Sequence, residues 1–341
     1  MPKRSLRPTM RDVARLAGVS PMTVSRVQAG SSRVAPETRD RIRRAIEQLG
    51  YVDDKVAAAL SSRRTGFIAT LVPTLTNSTF ADTAHGLSEA LRRTGYQLLI
   101  GYTLYRMGEE EALVRAMLER RPEAIVLAGM SHTEAARAML RSAGIPVVEI
   151  WDCGAAAPID RAVGFSNIEA GRAAARHLIA LGHRRIGAIG GPERFWSANA
   201  RLDGYRTALM RSGLPVDEEL VVRGEFAVSD GRDRARLLLD RPDPPTAIVA
   251  GNDNQAFGVL QALGERGLRV PDEVSLVGFD DAVAAWATPP LTTIRQPLAA
   301  MTAAGLRMLR MDADGAAAQP EHVELATSLA VRDSTAPPRI P

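Results

Sequence analysis

The chain has 341 residues, 45% hydrophobic and 24% charged, too many for one ordinary core and too apolar for a disordered chain. No apolar run is long enough to cross a bilayer, the basic start lacks an apolar leader core, and the single Cys153 excludes an intrachain disulfide; together these point to the cytoplasm. The formal net charge of +4 is uneven: residues 1–64 carry 14 Lys and Arg against 6 Asp and Glu, and the rest carries 29 against 33. A basic head on a mildly acidic body suits a polyanionic partner, because phosphate contacts release counterions.

Residues 9–50 read as three short helices. Thr9 with Asp12 forms a capping-box pattern ahead of Val13, Ala14, Leu16 and Ala17, and Gly18 ends the helix. Ser20 is placed to cap a second helix that has Pro21 at its first position. A third starts at Pro36, turns Ile42, Ala45, Ile46 and Leu49 to one face, and stops at Gly50. Two helices joined by a tight Gly-containing turn predict a helix-turn-helix with the second helix as groove reader. Val56–Leu60 is a helical patch too short to stand alone.

From Phe67 onward, strand-length apolar runs alternate with amphipathic stretches. The runs are Phe67–Val72, Leu98–Tyr102, Ala124–Leu127, Val147–Ile150, Arg185–Ile189, Ala247–Ala250 and Val274–Val277. Helices are expected at 82–94, 109–120, 170–181, 201–212 and 255–266, and the tail adds a helix over 298–309 and one strand-like run, Val323–Ala330. Two series of β-α-β units predict two doubly wound parallel-sheet subdomains with a cleft between them. The expected domains are an all-α head (1–52), a hinge (53–65), an α/β body (66–336) and a tail (337–341).

The segment Thr9-Met-Arg-Asp-Val-Ala-Arg-Leu-Ala-Gly-Val-Ser-Pro-Met-Thr-Val-Ser-Arg26 resembles the DNA-binding head of the lactose-repressor (LacI/GalR) family. The likeness continues through 39–51, the hinge 51–60, and the segments 182–186, 201–205, 252–253, 278–281 and 290–297 in the same order. It implies a periplasmic-binding-protein-like body that senses a small polar metabolite, and a homodimer on a pseudo-palindromic double-stranded DNA operator. For the DNA contacts, Thr9, Arg11, Ser20, Pro21, Met22, Thr23, Ser25, Arg26, Arg39 and Tyr51 are the candidates. Arg26 is suited to a guanine edge, Met22 to apolar base contact, and Thr23 and Ser25 to phosphate or sugar. In the hinge, Ala57 and Leu60 match a helix that lies in the minor groove, with Leu60 the wedge that kinks the duplex. Two departures stand out: Ala35 replaces a frequent Ser cap, at about 1 kcal/mol, and Ala29 replaces a frequent Asn.

The resemblance places the effector at strand ends in the cleft, with Thr79, Phe80, Asp152, Ser197, Arg201, Phe226, Asn252, Asp280 and Gln296 as candidates. Amides and carboxylates match vicinal hydroxyls, the rings can stack on a carbon skeleton, and Arg201 can clamp a hydroxyl pair or a carboxylate. The stretches 73–82, 132–133 and 163–172 are similar to the gluconate-type branch, so the expected effector is a sugar acid such as gluconate, with Arg194 and His132 as helper cations; a neutral sugar or purine is the alternative. The chain has no Gly-Lys-Ser/Thr phosphate loop, no dinucleotide fingerprint after the first strand and no metal-spaced His/Cys cluster. The reading is a regulator, not an enzyme, without cofactor or metal. A binding protein with no DNA role is the rival from another class.

Overall fold

The computed structural model describes residues 8–28, 30–52, 65–154, 157–309 and 322–339. The chain divides into two compact units, Met1–Thr65 and Gly66–Pro341. The first holds α1 (Met10–Ala17), α2 (Pro21–Gln28) and α3 (Pro36–Leu49). The capping box at Thr9 forms: Thr9 N donates to Asp12 Oδ2 at 3.0 Å and Asp12 N to Thr9 Oγ1 at 3.3 Å. Ser20 Oγ accepts from Thr23 N at 3.2 Å, whereas Ala35 offers α3 no side-chain cap. Gly18 and Gly50 end their helices with φ of 63° and 58°, the left-handed conformation that glycine adopts without a Cβ penalty. Val13, Ala14, Ala17, Val24, Ile42, Ala45 and Tyr51 make the core. Leu16, although an apolar position of α1, is 46% exposed. The hinge candidates Ala57 and Leu60 lie outside the described residues.

The second unit contains two six-stranded sheets. In the first lobe the strands are β1 (Phe67–Val72), β2 (Gln97–Tyr102), β3 (Ile125–Ala128), β4 (Val147–Asp152) and β5 (Arg161–Phe165), with helices α4 (Ser78–Arg92), α5 (Met107–Glu119) and α6 (Glu134–Ser142). The second lobe follows with α7 (Asn167–Ala180), β6 (Ile186–Gly190), α8 (Trp196–Arg211), β7 (Val221–Arg223), α9 (Val228–Leu239), β8 (Ala247–Ala250), α10 (Asp253–Glu265), β9 (Ser275–Asp280) and β10 (Thr292–Arg295). The chain then returns to the first lobe with α11 (Leu298–Leu309) and β11 (His322–Glu324), and ends in the second with β12 (Ser328–Ala330). The sheet orders are β11-β5-β4-β3-β1-β2 and β12-β10-β9-β8-β6-β7, parallel except for β12, which runs against β10. No helix of the described residues is long and apolar enough to cross a membrane.

The strand-like run Val323–Ala330 is two strands in two sheets. β11 pairs with β5, Leu325 N closes onto Gly164 O, and β12 then pairs with β10. No Gly or Pro separates them, so periodicity alone carries no break. Alternate strand residues face different cores. Val148, Ile150, Ala188 and Val277 share one cluster that runs through both lobes, while Ile189, Ile248 and Leu276 face a second and Leu71, Ile125 and Leu127 a third. This two-faced burial is why the strands read as continuous apolar runs.

Helices α7 and α8 cross in backbone contact. A Cβ on Gly171 would sit 2.1 Å from Arg201 O, and one on Gly204 would sit 2.0 Å from Ile168 O. Only glycine permits that approach, and it fixes the register of the helix that carries Arg201. Gly204→Ala should therefore force the helices apart at a cost of about 1–3 kcal/mol. Thermal unfolding should read this as about 2–4 °C lost per kcal/mol; an unchanged melting temperature would contradict the crossing.

Candidate functional site

In the head, Pro21, Met22, Ser25 and Arg26 form one outward face of α2, with Met22 63% exposed, while Val24 on the opposite side is fully buried. Met22 is thus free of the head's core. Ser20 and Thr23 hydroxyls lie 2.9 Å apart at the helix start, and Thr9 is held by Asp12, with Arg11 exposed beside it. Arg39 donates to Ser31 O at 3.3 Å and Val34 O at 3.4 Å, so it also braces the loop before α3. Tyr51 is 8% exposed and packs into the head's core. An exposed N-terminal helix face carrying Arg and small hydroxyls is the surface a major groove accepts.

In the second unit, Thr79, Phe80, Asp152, Ser197, Arg201, Phe226, Asn252, Asp280 and Gln296 all line one cleft between the lobes, which encloses about 880 Å³ including its open mouth. The topology explains the convergence. Asp152, Asn252, Asp280 and Gln296 each sit at or just past the C-terminal end of a strand (β4, β8, β9 and β10), where doubly wound sheets expose backbone and side chains to a crevice. Thr79 and Phe80 start α4, where Asn77 Oδ1 caps Thr79 N at 3.0 Å. Asn252 Oδ1 caps α10 by accepting from Gln255 N at 2.8 Å. Phe226 lies across Gly191, where a Cβ would come within 2.2 Å of its ring.

Arg201 is locked before any ligand arrives. Its Nε donates to Asn167 Oδ1 at 2.8 Å, Nη1 donates to Gly251 O at 2.6 Å, and its guanidinium stacks 3.7 Å from the Phe279 ring centroid. Asn167 Nδ2 in turn donates to Asp152 Oδ1 at 2.8 Å, which orients that carboxyl. Across the cleft, Trp151 Nε1 donates to Gln296 Oε1 at 2.7 Å and Gln296 Nε2 to Asp280 Oδ1 at 2.6 Å. Burial pushes the Asp152 carboxyl up, opposed by the nearby Arg201 charge. Burial likewise pushes Asp280 up to about 7, against the lowering pull of Arg201 and the Asn77 amide. Backbone strain gathers here: Leu104, Tyr105, Trp151, Asp280 and Asp281 have φ of 52°, 59°, 83°, 130° and 63°. Thr79 Oγ1 is buried without a hydrogen-bond partner.

Sequence reasoning missed part of the wall. Tyr105, Trp151, Phe195, Asn77 and Glu110 also line the cleft. With Phe80 and Phe226, the aromatic members form a chain of edge and tilted contacts 4.6 to 6.4 Å between centroids. Tyr105 follows β2 in a left-handed conformation that nothing in its neighbours announces. Neither helper cation lines the cleft. Arg194 is tied to Glu225 on the surface at 2.9 and 2.7 Å, and His132 is buried behind the wall between Glu110 and Glu149. Among the described residues no group of three or more His, Cys, Asp or Glu is placed to hold a metal ion.

The raised Asp280 value has a defined sign. The folded chain holds this proton up to about pH 7, whereas the unfolded chain releases it near pH 4, so burial of the charge costs stability as pH rises through that window. Between pH 6 and 8 the ligand-free protein should lose about 1 kcal/mol on this account. Asp280→Asn should remove that part of the slope, read as the difference between the melting temperatures of the two proteins at each pH. Parallel curves would show that Asp280 does not titrate there.

Residues 9–54 match the model for bacterial regulatory proteins of the lacI family, and residues 175–335 match the periplasmic binding protein-like domain. The regulator GntR of Pseudomonas aeruginosa is 35% identical over 96% of this chain and 96% of its own length. The structure of a CelR–cellobiose complex is 36% identical, covers 96% of this chain and all of its own, and superposes with a TM-score of 0.69. A lac repressor dimer bound to operator and the anti-inducer ONPF is 26% identical over 97% of this chain and all of its own, with a TM-score of 0.85. The chain belongs to the lacI family of bacterial regulatory proteins and is a transcriptional regulator, not an enzyme.

Proposed function

We propose that this protein is a repressor that binds a pseudo-palindromic double-stranded operator as a homodimer and is controlled by a neutral sugar held in the cleft. The composition of the cleft wall carries the effector class. Five aromatic rings, from Phe80, Tyr105, Trp151, Phe195 and Phe226, line it together with the buried carboxyls of Glu110, Asp152 and Asp280, against two arginines: Arg201, whose Nε and Nη1 are already engaged, and the exposed Arg106. Aromatic faces suit the C–H faces of a sugar ring, and fixed carboxylates accept paired hydroxyls. An effector carboxylate would join three carboxyls already in the wall, with the engaged Arg201 and the exposed Arg106 as its cations. The likeness to a cellobiose-binding regulator supports this class. A sugar acid such as gluconate is the second reading, favoured by Arg201 in the wall and by the likeness to GntR.

On the DNA side, Arg26 and Met22 read bases from the outward face of α2, Thr9, Arg11, Ser20, Pro21, Thr23, Ser25, Arg39 and Tyr51 set its position on the backbone, and Ala57 and Leu60 act in the minor groove. Effector binding changes the angle between the lobes, and through the hinges the affinity for operator; this requires unequal sugar affinity in the two states. For the dimer, edge strand β2 and the loop after it leave Ile100, Tyr102 and Leu104 exposed, as is Trp286 at 84%. Such apolar groups suit coverage by a second copy.

A thermal-shift panel of glucose, galactose, ribose and cellobiose against gluconate and glucuronate tests the effector class. Stabilisation by a neutral sugar alone is expected; a response to sugar acids alone would overturn it in favour of the second reading. Arg26→Ala should weaken operator binding at least tenfold, roughly 1–3 kcal/mol, while leaving the sugar-induced shift intact. Unchanged, salt-independent DNA binding by that variant would refute the assignment of α2.

A further inference from the structure

Glu110 stands in the first turn of α5, lines the cleft, and is 9% exposed. Its Oε1 lies 2.6 Å from His132 Nδ1, and the His132 side chain is fully buried, with Nε2 3.2 Å from Glu149 Oε1. Glu149 is itself held by Ile159 N at 2.6 Å, and the Arg137 guanidinium lies 4.0 Å from its Oε1. Asp152 completes the charged groups around the imidazole. His132 is hydrogen-bonded to the cleft carboxylate of Glu110 and faces Glu149 by charge alone, without a hydrogen bond, and against the lowering effect of burial the two glutamates push it up to about 9. The imidazolium thus takes one Glu110 oxygen and fixes its plane, and the other oxygen makes no hydrogen bond among the described residues. The family resemblance gave Glu110 no part, and the cap of α5 does not need it, since Glu110 is not the residue that precedes the helix.

We propose that Glu110 contacts the effector and filters it: its Oε2 accepts hydroxyls of a neutral sugar at the first-lobe end of the cleft and repels an acid group placed there, with His132 as the residue that positions it. This rests on the neutral-sugar reading. A carboxylate clamped from behind loses little conformational freedom when a hydroxyl arrives, so its contribution to selectivity exceeds that of a mobile surface glutamate. It also accounts for a three-carboxylate wall (Glu110, Asp152, Asp280) in a cleft whose locked Arg201 sits on the opposite lobe, with the exposed Arg106 as the cation on the Glu110 side.

The test uses the full-length protein, the neutral sugar of the panel that gives the largest thermal shift, and its aldonate (cellobionate for cellobiose, gluconate for glucose), with affinities from calorimetry. Glu110→Gln keeps the shape and removes the charge. Its expected signature is at least tenfold weaker binding of the neutral sugar with unchanged or tighter binding of the aldonate, so that the ratio of the two affinities moves tenfold or more. His132→Gln should move the same ratio in the same direction by a smaller factor, which a merely structural role would not do. Should Glu110→Gln not fold, Glu110→Asp retracts the acceptor and should weaken the neutral sugar while keeping the aldonate excluded. An unchanged ratio in variants that melt cooperatively overturns the proposal and leaves the neutral-sugar reading intact. A wild-type protein that binds only aldonates overturns that reading, and the filter with it.

Discussion

A short hydrogen-bonded chain across the cleft organises the sensing unit: Trp151 on β4 of the first lobe to Gln296, and Gln296 to Asp280 on β9 of the second. Gln296 follows β10 just where the chain leaves the second lobe, so one amide reads both sheets at a crossover. Each end of the relay is set in strained backbone, at Trp151 and Asp280, and the strain is held by strands that are buried along their whole length. A low-dielectric wall makes these bonds stronger than in water, and makes an unpaired member costly. The lobes are thus joined at the cleft by polar bonds that a polar ligand can replace in kind.

On the second lobe, Arg201 is immobilised by Asn167, Gly251 and Phe279, and its helix is fixed by the glycine contact with α7. Rigid walls of this type reduce the ordering cost that a ligand must overcome. The arrangement also divides labour among the acids: Asp152 is oriented by Asn167, Asp280 by Gln296, and Glu110 by His132. No two share an orienting partner.

Much of this was legible in the chain itself. The capping box at Thr9, the Pro21 and Pro36 helix starts and the glycine stops are local signals, and local hydrogen bonds make them readable. Strand-length apolar runs revealed the parallel sheets because strands buried on both faces lose their polar alternation. The cleft residues at strand ends came from the resemblance, with the topology supplying the reason they converge. What was not legible depends on long-range contact. Tyr105 and Trp151 reach the cleft through left-handed backbone that ordinary residues rarely adopt. Glu110 reads as one more acid in the run Glu109-Glu110-Glu111 on a solvated helix start, and only its pairing with His132, 22 positions away, sets it apart. Arg194 failed in the opposite way: a surface acid, Glu225, captured it.

The route of the chain between the lobes has a consequence for how this unit can be handled or evolve. It crosses three times, after β5, after β10 and between β11 and β12. Three strands of connection leave relative rotation as the easy motion and resist sliding or separation. Neither lobe is a contiguous stretch of sequence, so no single cut yields one without the other, and a deletion or exchange of either must be made in several pieces at once. Sequence drift at one lobe's edge, as in Val323–Ala330, is felt by both sheets within eight residues. The two lobes are thus interleaved parts of one compact unit, Gly66–Pro341.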